Sequence, residues 1–424
     1  MGQGLAWCLR CMDAGHSVKW FLAPQYRKTG QGLVPKVESW QPHMAWADLV
    51  FMTDNAFYVS EVQKFIDKGF PVFGPNLLGT QLELDRNKGQ EILRKNGIKV
   101  IPFAEFESAD KAKAFVRAFP KRYVSKPSGN ASKDMSYCSK GPRDMFAMLD
   151  RWKILGKIKG PFILQRFVKG VEMGVGCVLT KNGWSQWIEE NFEFKKFMNG
   201  DIGVNTGEQG TIMRFTRKSK LFDEVLKPLE HALHRIGYIG YVDVNCIIDR
   251  NGDPWPLEFT MRPGWPAFQI QLEAQKGDVA TWMIDAIHGD DTADFYEDIA
   301  AGVVVTIPDY PYSKLTNKDV WGYPVWGITK ENRSHVQLAE VYAGKVYEND
   351  GTQREGFLTS GDYVYIATGK GGSVTQASKN AYSVVSRIEI PNDPQWRTDI
   401  GDRLQNQLPV LQKFGYAEGI KFDS

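Results

Sequence analysis

The chain has no long apolar segment and almost no excess charge of either sign. Its 424 residues contain no uninterrupted apolar run of roughly 18 residues, so the sequence predicts no transmembrane helix. The 52 lysines and arginines nearly balance the 50 aspartates and glutamates, and the net charge of +2 argues against nucleic-acid or acidic-membrane partners. The beginning of the chain lacks a basic stretch followed by an apolar core, so we expect no secretory signal.

Cysteine is also scarce, with five residues scattered along the chain. Only Cys8 and Cys11 are close to each other, and neither a second pair nor a group of histidines accompanies them. That pattern disfavours a zinc or redox site. We interpret both cysteines as small apolar residues of a helix in a reducing, cytoplasmic compartment.

The chain is long enough for two or more domains, and 42% of it is hydrophobic. Residues 1–80 alternate helical and short extended segments, which predicts a Rossmann-like α/β domain with a parallel sheet but without an obvious first strand. Residues 81–300 form a second predicted domain, with a long amphipathic helix over residues 220–237. Short strands and glycine turns from residue 301 to 424 predict a separate third module.

Lys126 ends a predicted strand over residues 122–126 and precedes a loop of small residues that includes Ser128 and Gly129. Backbone amides of such a loop can approach phosphate oxygens, and the lysine adds a positive charge. The loop lacks the Walker A spacing. Taken alone, such a segment is more often a polar surface turn, so that alternative stays open.

Two predicted strands, over residues 238–248 and 254–260, form a hairpin with oxygen-bearing side chains. Strand alternation places Glu258 and Thr260 on one face, and Asn245 and Asp243 on one face of the partner strand. Such oxygens suit Mg²⁺, which takes one or two carboxylates and completes its shell with nucleotide phosphates. The alternative is a solvent-facing hairpin. Arg262 follows directly and can contact phosphates with two hydrogen bonds.

A second small-residue segment, residues 200–210, follows Lys195 and Lys196. Backbone donors and cations again suit an anionic group, with a flexible surface loop as the alternative. The three phosphate-compatible features are far apart in sequence. Their joint presence predicts an enzyme that uses a magnesium-bound nucleotide.

Several short motifs carry a resemblance to a known family. They are Gly74-Pro75, Gln81-Leu82-Glu83, Lys88, Lys126-Pro127, residues 163–172, Lys195-Lys196 with residues 200–210, residues 258–269, Ala381-Tyr382 and residues 396–401. In this order they resemble the phosphoribosylamine–glycine ligase family of the ATP-grasp superfamily. The resemblance implies an α/β (α+β) multidomain protein: a pre-ATP-grasp domain, an ATP-grasp domain with a lid at about residues 104–168, and a small mixed β domain.

The resemblance also implies roles for individual residues. ATP would be bound by Lys88, Lys126, Ser128, Gly129, Gln165, Arg166, Val168 and Glu172. Mg²⁺, or Mn²⁺ in its place, would be held by Glu258, Thr260 and Asn245, and Arg262 and Lys126 would be catalytic. The substrate would contact Lys195, Asn205, Thr206, Gly207, Gly264, Trp265 and Asp54.

The implied reaction joins an amino acid, with glycine as one candidate, to an amine through an acyl phosphate, with both substrates small molecules and the enzyme a monomer or homodimer. The sequence departs from the family mainly where substrates are recognised. The family's EFN has become EFT, with Thr260 in place of asparagine. Its GDPE has become Gly-Trp-Pro-Ala at residues 264–267, and its GGMG has become Gly-Glu-Gln-Gly at residues 207–210. These changes favour an amine other than phosphoribosylamine; the standard ligase and a non-catalytic nucleotide-binding relative remain alternatives.

Overall fold

The computed structural model describes residues 2–127, 135–312 and 318–423. The predicted ATP-binding residues Ser128 and Gly129 lie outside these ranges. None of the described helices is long and apolar enough to cross a bilayer.

The described strands are β1 (Trp20–Phe21), β2 (Lys36–Val37), β3 (Val50–Phe51), β4 (Val72–Phe73), β5 (Phe103–Phe106), β6 (Tyr123–Pro127), β7 (Tyr137–Cys138), β8 (Phe162–Arg166), β9 (Gly170–Thr180), β10 (Gly183–Glu193), β11 (Lys196–Met198), β12 (Ile202–Asn205), β13 (Gly210–Thr216), β14 (Gly240–Asp249), β15 (Pro254–Thr260), β16 (Ile299–Thr306), β17 (Pro324–Val325), β18 (Val336–Leu338), β19 (Val341–Tyr347), β20 (Gln353–Thr359) and β21 (Tyr363–Gly371).

The described α-helices are α1 (Leu5–Asp13), α2 (Val59–Ile66), α3 (Leu77–Leu84), α4 (Arg86–Lys95), α5 (Ala109–Ala118), α6 (Pro142–Ile154), α7 (Glu230–Arg235), α8 (Ala267–Ala274), α9 (Thr281–His288), α10 (Val374–Val385) and α11 (Leu404–Gln412).

The N-terminal segment contains the parallel pairing that the sequence predicts, but in two separate pairs. Strand β1 pairs with β2, and β3 pairs with β4, both in parallel. Helix α1 buries Cys8 and Cys11 with Leu5, so the two cysteines are small core residues of a helix, as expected.

Strands β5, β8, β6 and β7 form a four-stranded sheet that carries α5 and α6 on a core of its own. Val116, Leu149, Trp152 and Phe162 are fully or almost fully buried in that core. Helix α5 begins at the side chain of Ser108, which accepts a hydrogen bond from the backbone of Lys111. This compact unit coincides with the segment that the sequence assigns to a lid, and Lys126 lies on its strand β6.

The largest sheet of the described residues has the strand order β15-β14-β9-β10-β13-β16-β21-β18, and its neighbours are antiparallel. Strands on both sides of residue 300 belong to it, because β16 pairs with β13 on one edge and with β21 on the other. The predicted domain boundary at residue 300 is therefore not a break in the sheet. Sequence alternation identifies strands but not their partners.

The helix predicted over residues 220–237 is wrong as one continuous α-helix. A π-helical turn over Phe222–Leu226 and a 3-10 turn over Lys227–Leu229 precede the short helix α7. Pro228 lies within the 3-10 turn, lacks a backbone N–H and cannot donate the i→i−4 hydrogen bond of a continuous α-helix. The apolar residues of this segment nevertheless pack into the core as the periodicity predicts, since Leu221, Val225 and Leu229 are fully buried.

The two faces of the large sheet differ in polarity around β9, β10 and β14. Met173, Val175, Phe192, Val244 and Cys246 point into the main hydrophobic core and are fully buried. The alternate positions present carboxylates and amides on the opposite face, namely Glu172, Glu189, Asn191, Glu193, Asp243 and Asn245. Burying polar side chains costs free energy. A polar face that other elements cover therefore indicates that these side chains serve function rather than stability.

Candidate functional site

The hairpin β14–β15 places the four predicted oxygen donors on the polar face. Asn245 lies directly opposite Glu258, and Asp243 directly opposite Thr260. Directly opposed residues of antiparallel strands project to the same side, which is the placement that strand alternation predicts. Asn245 and Asp243 are buried, whereas the side chain of Glu258 keeps 35% of its surface exposed and so remains accessible.

Lys195 lies among three carboxylates, one from each of the strands β9, β10 and β15. Its Nζ is 2.8 Å from Glu172 Oε1, 2.9 Å from Glu193 Oε2 and 3.8 Å from Glu258 Oε1. These contacts hold the pKa of Lys195 well above its usual range, although burial opposes the effect. Lys195 was predicted to bind substrate, but in the structure its charge is engaged by Glu172 and Glu193.

Lys126 and Glu258 belong to the same cleft, as a shared nucleotide site requires. Burial lowers the pKa of Lys126 to about 8, and the charge of Glu258 opposes this shift most strongly. Burial would raise the pKa of Glu258, but Lys126, Lys195 and Arg86 together hold it well below its usual range. The lysine of the four-stranded sheet and the carboxylate of the large sheet therefore face each other.

Two arginines contact the hairpin. Arg86 Nη2 donates to Glu258 Oε2 at 2.9 Å, and Arg262 Nη2 lies 3.1 Å from Glu83 Oε1. Glu83 also accepts from the backbone N–H of Met261 at 2.8 Å, which ties α3 to the end of β15. Arg86 was missed by the sequence analysis. Its position at the first residue of a helix capped by Asp85, between the QLE motif and Lys88, was the available signal.

The proposed adenine hinge is the connection from β8 to β9. Gln165 is buried between Phe103 and Val124, while Arg166 ends the strand opposite Tyr123. Val168 lies in the three-residue link to β9, whose third residue is Glu172. Lys88 lies on helix α4, with its Nζ 2.5 Å from Gln81 Oε1 and its side chain exposed.

The predicted substrate residues divide into two groups. Thr206 donates from Oγ1 to the carbonyl of Lys195 at 2.9 Å, and Gly207 and Asn205 beside it are exposed. Gly264 and Trp265 follow β15, and the Trp265 ring packs against Tyr363 with 4.7 Å between centroids. Thr206 thus adjoins the backbone of Lys195, whereas Trp265 packs on Tyr363, which interacts electrostatically with Glu208.

Asp54, also predicted to bind substrate, has its described hydrogen bonds within its own loop, and its assignment to substrate binding stays a prediction. Its Oδ2 accepts hydrogen bonds from the backbone N–H groups of Ala56, Phe57 and Tyr58 at 3.2, 2.7 and 3.3 Å. The carboxylate thus organises the turn that enters α2.

The donor set fits one hard divalent cation whose remaining ligands come from a nucleotide. Asn245 Oδ1 is buried and has no hydrogen-bond partner among the described residues, while its Nδ2 donates to Glu193 Oε2 at 2.7 Å. This orientation leaves the amide oxygen on the side of Glu258 free to bind an ion. Within the described residues no group of three or more His, Cys, Asp or Glu side chains could hold a metal. Phosphate oxygens would therefore have to complete the shell, as is usual for Mg²⁺.

Comparison with known proteins agrees with this geometry. The family model described as "Phosphoribosylglycinamide synthetase, ATP-grasp (A) domain" matches residues 85–267. The phosphoribosylamine–glycine ligase of Neisseria meningitidis serogroup B is 24% identical over 359 residues, 82% of this chain and 82% of that protein. That of Ralstonia nicotianae is 27% identical over 359 residues, 81% of each chain. Residues 85–267 thus match this ATP-grasp domain, and most of the chain is similar to phosphoribosylamine–glycine ligases.

Solved structures show the same fold as this chain. Phosphoribosylamine–glycine ligase from Thermotoga maritima superposes with a TM-score of 0.73 at 18% identity, covering 94% of this chain and 97% of that one. N5-carboxyaminoimidazole ribonucleotide synthetase from the same organism gives 0.58 at 15% identity, covering 92% and 97%. The predicted ATP-grasp fold is confirmed, and the relatives of the chain are ATP-grasp ligases that form C–N bonds.

Proposed function

We propose that the chain uses MgATP to activate the carboxylate of an amino acid as an acyl phosphate, and transfers the acyl group to an amine other than phosphoribosylamine. The observation that carries the proposal is the convergence of Lys126, Arg86 and Lys195 on Glu258, between the four-stranded and the large sheets. Cations around one accessible carboxylate, beside an unpartnered amide oxygen, are what a metal-bound triphosphate requires.

The nucleotide would lie between the two sheets. Lys126 would contact phosphate oxygens, the connection from Gln165 to Val168 would receive the adenine, and Glu172 would receive the ribose hydroxyls. Lys88 would approach the phosphates from α4. A magnesium ion, held by Glu258, Asn245 and Thr260, would neutralise charge that develops on the phosphoryl oxygens.

The residues of the chain have three tasks in the reaction. Arg262, oriented by Glu83, supplies two fixed donors to the transferred phosphoryl group. Lys126 adds a positive charge from the sheet that can close over the cleft. Closure of that sheet would exclude water, which an acyl phosphate requires because it hydrolyses readily.

The substituted segments determine which substrates enter. Residues 205–207 and Trp265 would contact the substrates, and the acidic residues of the family's GDPE motif are absent from residues 264–267. A site that has lost charged partners of a substrate discriminates strongly against it. This supports an amine that differs from phosphoribosylamine.

ADP release with a panel of amino acids and amines tests the proposal. We expect MgATP-dependent ADP formation with a pair other than glycine and phosphoribosylamine. Efficient turnover of that standard pair would identify the standard ligase instead. Absence of any nucleotide binding in calorimetry would identify a non-catalytic relative.

A further inference from the structure

Glu208 is a buried carboxylate that the proposed chemistry does not use. Only 4% of the residue is exposed, and its Oε1 has no hydrogen-bond partner among the described residues. It replaces a glycine of the family motif and precedes β13, at the border of the polar face. An unpaired buried carboxylate is costly, so its presence calls for a ligand.

The groups that face Glu208 are almost all acidic. Glu193, Asp243 and Glu189 raise the pKa of Glu208 in addition to the larger effect of its burial, and Lys195 is the cation that opposes them. The ammonium of Lys195 is already within 2.9 Å of two other carboxylates. The neighbouring carboxylates accept hydrogen bonds from an amide: Asn191 Nδ2 donates to Glu189 at 3.0 Å and to Asp243 at 2.8 Å. Glu208 Oε1 lacks such a donor.

Aromatic rings form the wall beside Glu208. Tyr363 has its ring centroid 4.7 Å from that of Trp265 and 5.9 Å from that of Tyr310. The hydroxyl of Tyr363 is also buried without a hydrogen-bond partner among the described residues. Gln209 holds Tyr310 in place by donating to its hydroxyl at 3.0 Å.

Open space adjoins this wall. A Cβ built on Gly207, the residue before Glu208, meets no atom within 4 Å, and Gly207 is exposed. The backbone next to Glu208 therefore borders solvent, which is the side from which a small ligand would have to approach. Aromatic faces next to a carboxylate are the surroundings in which proteins bind organic ammonium groups.

We propose that Glu208, together with the rings of Tyr363 and Trp265, binds the non-reacting ammonium group of the acyl-donating amino acid. The inference rests on the proposed ligase function, because it assigns one of the two substrates. The amine that attacks the acyl phosphate has to lose a proton, whereas the amino group of the acyl donor does not react. A lasting ion pair with a carboxylate is therefore compatible with the ammonium group of the acyl donor. Glu193 and Lys195 connect this subsite to Glu258, which places the donor's carboxylate toward the nucleotide.

Calorimetry on the full chain saturated with MgADP tests this assignment. The probes are the standard amino acids and β-alanine, each compared with the carboxylic acid that lacks the amino group, such as acetate for glycine. We expect at least one amino acid to bind about tenfold or more tighter than its des-amino counterpart, and Glu208→Gln to remove that difference. Equal binding of both compounds by the wild type, or unchanged discrimination in Glu208→Gln, would overturn the proposal.

Further variants separate binding from folding. Tyr363→Phe keeps the ring and should retain the discrimination, whereas Tyr363→Leu should weaken it. Asp402→Asn, which removes a carboxylate outside the subsite, serves as the charge-matched control and should bind as the wild type does. Glu208→Gln without ligand should melt no lower than the wild type, since glutamine keeps the shape and replaces a carboxyl group whose charged form burial and acidic neighbours disfavour; a large fall would mark Glu208 as structural and contradict the assignment.

The failure of this inference differs from the failure of the proposed function. If MgADP binds and amino acids are discriminated but no ADP is released from ATP, the ligase proposal fails and the subsite stands. If ADP is released with a substrate pair while Glu208→Gln leaves the discrimination intact, the ligase proposal stands and the subsite fails.

Discussion

Arg262 forms an ion pair with Glu83, with 3.1 Å between Nη2 and Oε1. Glu83 in turn accepts the backbone N–H of Met261, so a single carboxylate on α3 orients both the arginine and the end of the strand that carries Glu258. We expect Glu83→Gln to lower kcat about tenfold or more, with little change in the KM for ATP, because the guanidinium loses its fixed direction. Steady-state kinetics checks this, and Arg262→Lys is the companion variant. A change confined to the KM for ATP would contradict the assignment.

Glu258 is the side chain on which the nucleotide site depends. Glu258→Gln keeps the shape but removes the charge that Arg86 and Lys195 contact, and we expect ADP formation to fall about a hundredfold or more. Circular dichroism and thermal melting should show a folded protein, since the side chain is partly exposed. Normal turnover by this variant would exclude Glu258 as a metal ligand.

Trp265 should determine affinity for the acyl donor rather than for ATP. It packs on Tyr363 and lies next to the segment that differs from the family motif. Trp265→Ala should raise the KM of the donor about tenfold and leave the KM of ATP within about twofold. Trp265→Phe, which keeps an aromatic face, is the matched control. Equal effects on both KM values would indicate a structural tryptophan.

A histidine outside the site gives a prediction for stability against pH. His335 Nδ1 lies 2.9 Å from the buried Glu273 Oε2, and this hydrogen bond raises the pKa of His335. The folded state therefore binds the proton more tightly than the unfolded chain, whose pKa is about 6.5. The stabilisation is fully present below that pH and is lost as pH rises through the higher folded pKa. Melting temperatures of the wild type and His335→Gln should converge as pH increases from about 6 to 9; a constant difference would contradict this.

Arg397 anchors the loop beside the candidate substrate residues. The guanidinium is 1% exposed and lies 2.8 Å from both Asp201 Oδ1 and Asp399 Oδ1. Arg397→Ala leaves these carboxylates without their partner, and we expect the free energy of unfolding to fall by about 3 kcal/mol. Urea denaturation measures this, with Arg403→Ala as the comparison, since Arg403 contacts only Asp201 of the two and is more exposed. Equal losses for both variants would contradict a specific role for Arg397.

The sequence anticipated local geometry more accurately than long-range contacts. Alternation along two strands was sufficient to place Asn245 and Glu258 on one face, and the hairpin turn brought them opposite each other. The ion pair of Arg86 with Glu258 joins residues 172 positions apart, and no periodicity within either segment indicates it. Lys195 shows the same limit: its position after a strand is readable, but its partners Glu172 and Glu193 are not.

The ordered motifs from Gly74 to Gly401 were enough to identify the similarity to phosphoribosylamine–glycine ligases, the ATP-grasp fold and the strands that carry the oxygen donors. Local rules suffice there, because strand alternation and short motifs act over a few residues. Only the tertiary structure decided that Lys126 and Glu258 interact electrostatically, that Asp54 accepts backbone N–H groups of its own turn, and that Glu208 Oε1 is buried near Tyr363 without a hydrogen-bond partner among the described residues. Those outcomes depend on how separate sheets pack and on which charges become buried together, and both are properties of the whole folded chain.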